Sequence, residues 1–285
     1  MKAKFLYIIF LLILAVIYLT GCSSTQGRTK ESNVENIALN SKILGRKLSF
    51  KIYLPKEYSS NLKLPVLYFL HGASGSPETM FEELDIKGCS DALITQKKIK
   101  PLIIVCPDTL NSLELIGQLS NDTKEPSRDY FEEFLCKELV PYIDSNYNTI
   151  KSRASRYIGG ISMGGFIAVQ TAVHHPEIFG KTGGHSPASW IIDYSDKSFD
   201  KWMYSGNSYK DNANIKRLEQ KKELINLEIY LDCGKDDNGI IDDTKNLYTA
   251  LKQRNIKAQL FINEGNHSYD YWKMNFQKYL TFYSS

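Results

Sequence analysis

Gly160-Ile161-Ser162-Met163-Gly164 sets a serine between two glycines at the spacing G-x-S-x-G. An apolar strand pattern precedes it at Tyr157-Ile158, and an apolar helical pattern follows over residues 166–173. Strand, tight turn and helix form the setting of a nucleophile elbow, which lifts a serine hydroxyl off the end of a sheet. The turn closes only if its flanking positions carry no side chain. Gly160 and Gly164 meet that need, and Gly159 and Gly165 extend it. The helix N-terminus beneath such a serine also favours developing negative charge. The competing reading is a glycine-rich structural turn, and the five-residue motif alone does not decide between them.

A serine hydroxyl is a weak nucleophile without a base. The chain has five histidines. His174 and His175 end the helical pattern before Pro176 and read as capping or solvent-facing residues. His71 opens a loop of small residues, His71-Gly72-Ala73-Ser74-Gly75-Ser76, and reads as shaping it. His185 follows Gly183-Gly184 after a possible strand and reads as structural, with a place in a cleft as its alternative. His267 follows the final strand pattern in Glu264-Gly265-Asn266-His267, the kind of loop where a base must sit to meet Ser162. A third residue, a carboxylate, should orient that imidazole. Asp236 and Asp237 both follow the strand pattern ending near Leu231, and their adjacency leaves the choice open. Asp232 reads as part of the strand, and Asp242 and Asp243 as the start of a helix. Serine, then acid, then histidine is the chain order of α/β-hydrolases. An oxyanion needs two N–H donors. The backbone of Met163, just after the serine, is one candidate. Ala73, in the small-residue loop after an earlier strand, is the other.

The elements that must hold these residues alternate along the chain. Continuous apolar runs at 66–70 and 102–105 suit strands buried on both faces, and 225–231 and 258–262 read as two further strands. Helical spacing appears at 130–143, interrupted by Pro141, and again at 242–254 and 269–282. Two earlier strands, 34–39 and 48–54, read as partly exposed. This alternation predicts an α/β class, with a mostly parallel central sheet flanked by helices. Residues 187–222 are less regular, with Trp190, Tyr194, Trp202 and Tyr204 scattered through them, and read as a short cap. A hydrophobic fraction of 42% supplies a core for one domain over 33–285.

The N-terminus reads as an address. Lys2 and Lys4 precede an apolar run over 5–19, shorter than the roughly 20 residues that span a bilayer. The run ends in Leu19-Thr20-Gly21-Cys22, which resembles a bacterial lipoprotein signal. That resemblance implies removal of residues 1–21 and lipidation of Cys22 by fatty acyl chains of the palmitate kind. It also implies a tether over 22–32 and a place on the extracytoplasmic face of the cell membrane. A plain secretory signal or an uncleaved anchor is the alternative. The formal charge of +3 falls to +1 without Lys2 and Lys4, so no nucleic-acid footprint is expected. Cys89, Cys106, Cys136 and Cys233 remain, widely spaced and without a metal-binding pattern. Cys106 and Cys233 read as buried small hydrophobes, and no pairing follows from the sequence.

Several segments together carry a family resemblance. They are Tyr53-Leu54-Pro55, Leu64-Pro65-Val66-Leu67-Tyr68, His71-Gly72, Glu138-Leu139-Val140-Pro141-Tyr142-Ile143, the run RASRYIGGISMGG ending at Gly165, His175-Pro176-Glu177, Cys233-Gly234-Lys235-Asp236-Asp237 and Gly265-Asn266-His267. The chain resembles the esterase family of α/β-hydrolases that includes esterase D, feruloyl and acetylxylan esterases, enterochelin-esterase-like enzymes and mycolyltransferases. The resemblance implies an α/β-hydrolase fold with a short cap and no cofactor or metal. It places the acid third after the glycine, at Asp237, and the second oxyanion donor at Ala73. The expected activity is serine-dependent hydrolysis of small acyl esters or glycan-linked acetyl- or feruloyl-type esters outside the cell. Acyl transfer by the same residues, as in mycolyltransferases, and a non-catalytic binding lipoprotein are the alternatives.

Overall fold

In a computed structural model, eight strands form one sheet in the order β1-β2-β4-β3-β5-β6-β7-β8. The structure describes residues 31–59, 61–109, 127–189, 192–203 and 222–285. The leader, Cys22, most of the tether, Trp190 and Tyr204 lie outside them. Residues Ser32–Ser285 make one compact unit.

β1 (Asn33–Ser41) and β2 (Arg46–Leu54) form an antiparallel hairpin, and β2 runs antiparallel to β4 (Ile103–Pro107). The remaining contacts are parallel. They join β3 (Val66–Leu70), β5 (Arg156–Ile161), β6 (Lys181–His185), β7 (Glu228–Gly234) and β8 (Lys257–Asn263). The two apolar runs at the centre are buried on both faces, as continuous apolar strands should be. Val66, Tyr68 and Leu70 enter one core layer, while Leu67 and Phe69 enter the other. Burying each such side chain contributes about 1.5–3 kcal/mol.

The first layer is roofed by α5 (Met163–His174), every residue of which is buried, and by α7 (Ile241–Gln253). The opposite layer is closed by α1 (Pro77–Glu83), α2 (Ile86–Thr95) and the C-terminal α8 (Tyr269–Ser284). The sequence reading assigned no helix to residues 77–95. There the chain breaks its period at Asp85, which takes φ 48° and caps α2 by accepting the Gly88 N–H.

The helical pattern at 130–143 neither ends nor sharply stops at Pro141. α3 (Ser127–Phe134) passes through a π-helical turn, Leu135–Leu139, into α4 (Val140–Asn146). Val140 N–H bonds the carbonyl of Leu135, a wider turn that accommodates a proline with no N–H to give. Glu138 in this turn accepts from Ser41 Oγ at 2.5 Å and from the Lys42 N–H at 2.9 Å, so it fastens the β1–β2 hairpin to the domain.

One strand boundary differs from the sequence reading. β7 begins at Glu228, and Ile225, 43% exposed, ends a short helical stretch before it. β8 is an edge strand, so Phe261 and Ile262 stay partly exposed although they look like core residues. The cap is described only in part. Within it α6 (Asp196–Met203) packs Phe199 and Met203 into the first layer.

Candidate active site

Ser162 sits where β5 becomes α5, with φ 54° and ψ −122°. That backbone conformation is strained for a residue with a side chain, by about 1–3 kcal/mol, and persists only where its surroundings hold it. The turn is closed by absent side chains. A Cβ on Gly160 would lie 2.6 Å from the Leu70 carbonyl oxygen, and one on Gly164 would lie 2.4 Å from that of His71. Both are backbone atoms of the neighbouring strand end and cannot yield. Gly72 packs against the serine less tightly, since a Cβ there would stand 3.2 Å from Ser162 Cβ.

The structure brings the three sequence candidates into one line. Ser162 Oγ lies 2.9 Å from His267 Nε2, and His267 Nδ1 lies 2.7 Å from Asp237 Oδ2. The Asp237 side chain is 3% exposed and the His267 side chain 35%. Asp237 is therefore the shielded partner, and the imidazole reaches out to the open side. Asp236, left open in sequence, is exposed, and its N–H donates to the Gly265 carbonyl at 2.9 Å. That bond and the one from Lys235 N–H to the Asn263 carbonyl tie the Asp237 turn to the loop that carries His267. Gly234 permits the approach, because a Cβ on it would meet the Gly265 carbonyl oxygen at 2.3 Å. Asp242 and Asp243 begin α7, as read.

With Asp237 accepting at Nδ1, the imidazole carries its proton there and offers a lone pair at Nε2 to the serine hydroxyl. Trp272 sets its ring edge-on to His267, centroids 5.0 Å apart. Sequence reasoning missed this aromatic. Its one signal is its place in the first turns of the helix that follows His267. Cys233 stands beside Asp237, and burial with that carboxylate's charge pushes its thiol up to about 12. It stays protonated and is no rival nucleophile. Cys106 is also buried, and all four described cysteines are unpaired.

Met163 opens α5, so its N–H has no acceptor within the helix. Ala73 lies in the turn after β3, next to Gly72 and closed by the Gly75 N–H on the Gly72 carbonyl at 3.1 Å. His71 braces this turn. Thr109 N–H donates to its Nε2 at 2.9 Å, which leaves Nδ1 to donate to the Gly72 carbonyl at 2.8 Å.

His185 is fully buried against Asp232. His174 differs from its expected capping or solvent role: it is buried beside Glu132, Nδ1 to Oε2 2.8 Å, with Nε2 donating to the Trp202 carbonyl at 2.7 Å. α6 covers His174 at this helix end, while the neighbouring His175 keeps a partly solvent-exposed side chain 3.3 Å from Glu177 Oε1. Among the described residues no group of three or more His, Cys, Asp or Glu side chains is arranged to hold a metal.

A family model described as "Putative esterase" matches residues 41–283. An endo-1,4-beta-xylanase/feruloyl esterase of Xylanibacter ruminicola is 28% identical over 86% of this chain and 30% of its own length. The chain thus spans less than a third of that relative. An acetyl esterase of Caldicellulosiruptor saccharolyticus is 27% identical over 75% of this chain and 80% of its own. The solved structure of a ferulic acid esterase superposes with a TM-score of 0.73 at 26% identity, covering 89% of this chain and 98% of that one. The shared architecture is the α/β-hydrolase fold.

Proposed function

We propose, from the premise that this chain belongs to the esterase family of α/β-hydrolases, that it cleaves carboxylic esters through an acyl-enzyme on Ser162. The observation that carries this reading is the relay from Ser162 Oγ through His267 to Asp237, at 2.9 and 2.7 Å. His267 Nε2 takes the hydroxyl proton as Oγ attacks the acyl carbon. Asp237 stabilises the imidazolium that forms. The backbone N–H groups of Met163 and Ala73 receive the oxyanion, and the positive end of α5 adds to them. The tetrahedral intermediate collapses as the ester C–O bond breaks, and the departing alcohol takes its proton from His267. Water, deprotonated by the same nitrogen, then releases the acid and restores Ser162.

The proposed substrates are small acyl esters and glycan-linked esters of the acetyl or feruloyl type. The names of the two relatives and of the superposed structure support this class. The proposed location is the extracytoplasmic face of the membrane, through lipid on Cys22. The Leu19-Thr20-Gly21-Cys22 motif supports it.

The test is turnover of p-nitrophenyl acetate, and of acetylated and feruloylated xylan fragments, by wild type and Ser162→Ala. The reading expects release of acid by wild type and none above background by the variant. Equal rates overturn it, and acid found on an added sugar or lipid acceptor in place of water redirects it to acyl transfer.

A further inference from the structure

One strand over from the nucleophile lies a second carboxylate–imidazole pair, on the face of the sheet away from α5. His185 ends β6 and stands in register with Asp232 on β7. His185 Nδ1 donates to Asp232 Oδ1 at 2.7 Å, and both side chains are completely buried. The other carboxylate oxygen accepts two phenols, Tyr271 at 2.6 Å and Tyr279 at 2.8 Å. The imidazole stacks on the Tyr279 ring with centroids 3.5 Å apart. A buried carboxylate is tolerated when donors surround it, and here three do. The esterase chemistry described above uses none of these side chains.

The main chain of this cluster grips Ser162. Its N–H donates to the His185 carbonyl at 2.8 Å, and its carbonyl accepts from the Ala188 N–H at 3.0 Å. Between them Ser186, at φ 49°, donates its N–H to the Asp232 carbonyl at 2.7 Å. The same cluster reaches the other two segments. Asp232 precedes Asp237 on the strand and turn that deliver it. Tyr271 follows His267 by about one helical turn, and its ring fills the space beside Gly265, which stands at φ 123°. The segments that bring Asp237 and His267 therefore meet at one carboxylate, and the segment that brings Ser162 is joined to it through the main chain of His185.

We propose that Asp232, with His185, Tyr271 and Tyr279, is a positioning network that sets Ser162 in register with His267 and Asp237 without touching substrate. This rests on the serine reading above. Its consequence is kinetic. All four side chains are buried out of reach of a bound substrate, so binding persists when the network is loosened. The attack geometry degrades, and a misplacement on the order of 1 Å costs up to about 10²-fold in rate.

The experiment measures kcat and KM for p-nitrophenyl acetate on the full-length chain in detergent. Active sites are titrated with a fluorophosphonate and folding is checked by near-UV circular dichroism. The variants are Asp232→Asn, Tyr271→Phe, Tyr279→Phe and the Asp232→Asn/Tyr271→Phe double, with Ser162→Ala as control. The phenylalanine variants each remove one oxygen and keep the ring, so they decide the matter if Asp232→Asn does not fold. Expected is a fall in kcat of about 10- to 100-fold for Asp232→Asn and about 3- to 10-fold for each phenylalanine variant, with KM within about twofold. The double variant should lose little more than Asp232→Asn alone, since both changes break one network. Wild-type kcat in the folded phenylalanine variants overturns the network, as does a loss carried by KM or one that multiplies in the double. If those variants are normal and Ser162→Ala is dead, the network fails and the serine reading stands. If Ser162→Ala is active, the serine reading itself fails.

Discussion

His267–Asp237 and His185–Asp232 are the same pair of groups at the same separation, 2.7 Å in each case. What surrounds them differs. His267 is 35% exposed and turns Nε2 to a serine hydroxyl 2.9 Å away. His185 is wholly enclosed, and its Nε2 faces the Tyr283 hydroxyl at 3.4 Å, a phenol that burial holds well above its usual range. An oriented imidazole is thus no sign of catalysis in itself. It becomes a base where an activatable hydroxyl and an open side meet its second nitrogen. It becomes a strut where aromatic rings close over it.

The comparison breaks most easily at the exposed pair. Ser162→Ala or His267→Ala should lower kcat for p-nitrophenyl acetate by about 10⁴-fold or more, with the melting temperature nearly unchanged. Asp237→Asn should follow with a loss of about 10²–10⁴-fold, because the amide no longer fixes the tautomer that presents a lone pair to Ser162. The buried pair carries stability as well as position. His185→Ala should cost about 3–5 kcal/mol of stability in a urea titration, since it leaves the Asp232 charge without its imidazole. Gly164→Ala tests the elbow between the two pairs. Its Cβ would run into the His71 carbonyl, so both activity and stability should fall, the latter by about 1–3 kcal/mol. Smallest in turnover is Cys22→Ser. It should leave esterase activity within about twofold of wild type, while label from an alkyne palmitate analogue disappears from the protein and the chain leaves the membrane fraction. Retained label would remove the lipid-anchor proposal and leave the catalytic one untouched.

Much of this layout can be read from the chain, for identifiable reasons. Val66–Leu70 and Ile103–Pro107 announce themselves because a strand buried on both faces must be apolar throughout. Ser162 and its glycines stand out because a strained turn tolerates few residue types. β6 is the faintest of the central strands in sequence. Lys-Thr-Gly-Gly-His has no apolar run, yet it is a central strand. A Cβ on Gly183 would strike the Tyr283 hydroxyl at 2.1 Å, and one on Gly184 would meet Val169 at 3.0 Å. Helices press so closely on both faces that bulk is excluded, and with it the hydrophobic signal. Asp237 and Asp236 could not be separated locally either, because their difference is one of shielding. That depends on where the turn after β7 meets the His267 loop, a contact between residues some thirty positions apart. The burial of His174 is hidden for a related reason: it comes from Glu132 and from α6, both distant from it along the chain.

The central claim is that one serine, activated by the exposed pair, carries the chemistry. The most direct measurement is intact-mass and peptide mapping of the full-length chain after brief treatment with a fluorophosphonate. The account predicts a single adduct on the peptide containing Ser162, absent from Ser162→Ala and formed far more slowly by His267→Ala. An adduct on another residue, or undiminished labelling of Ser162→Ala, would contradict it.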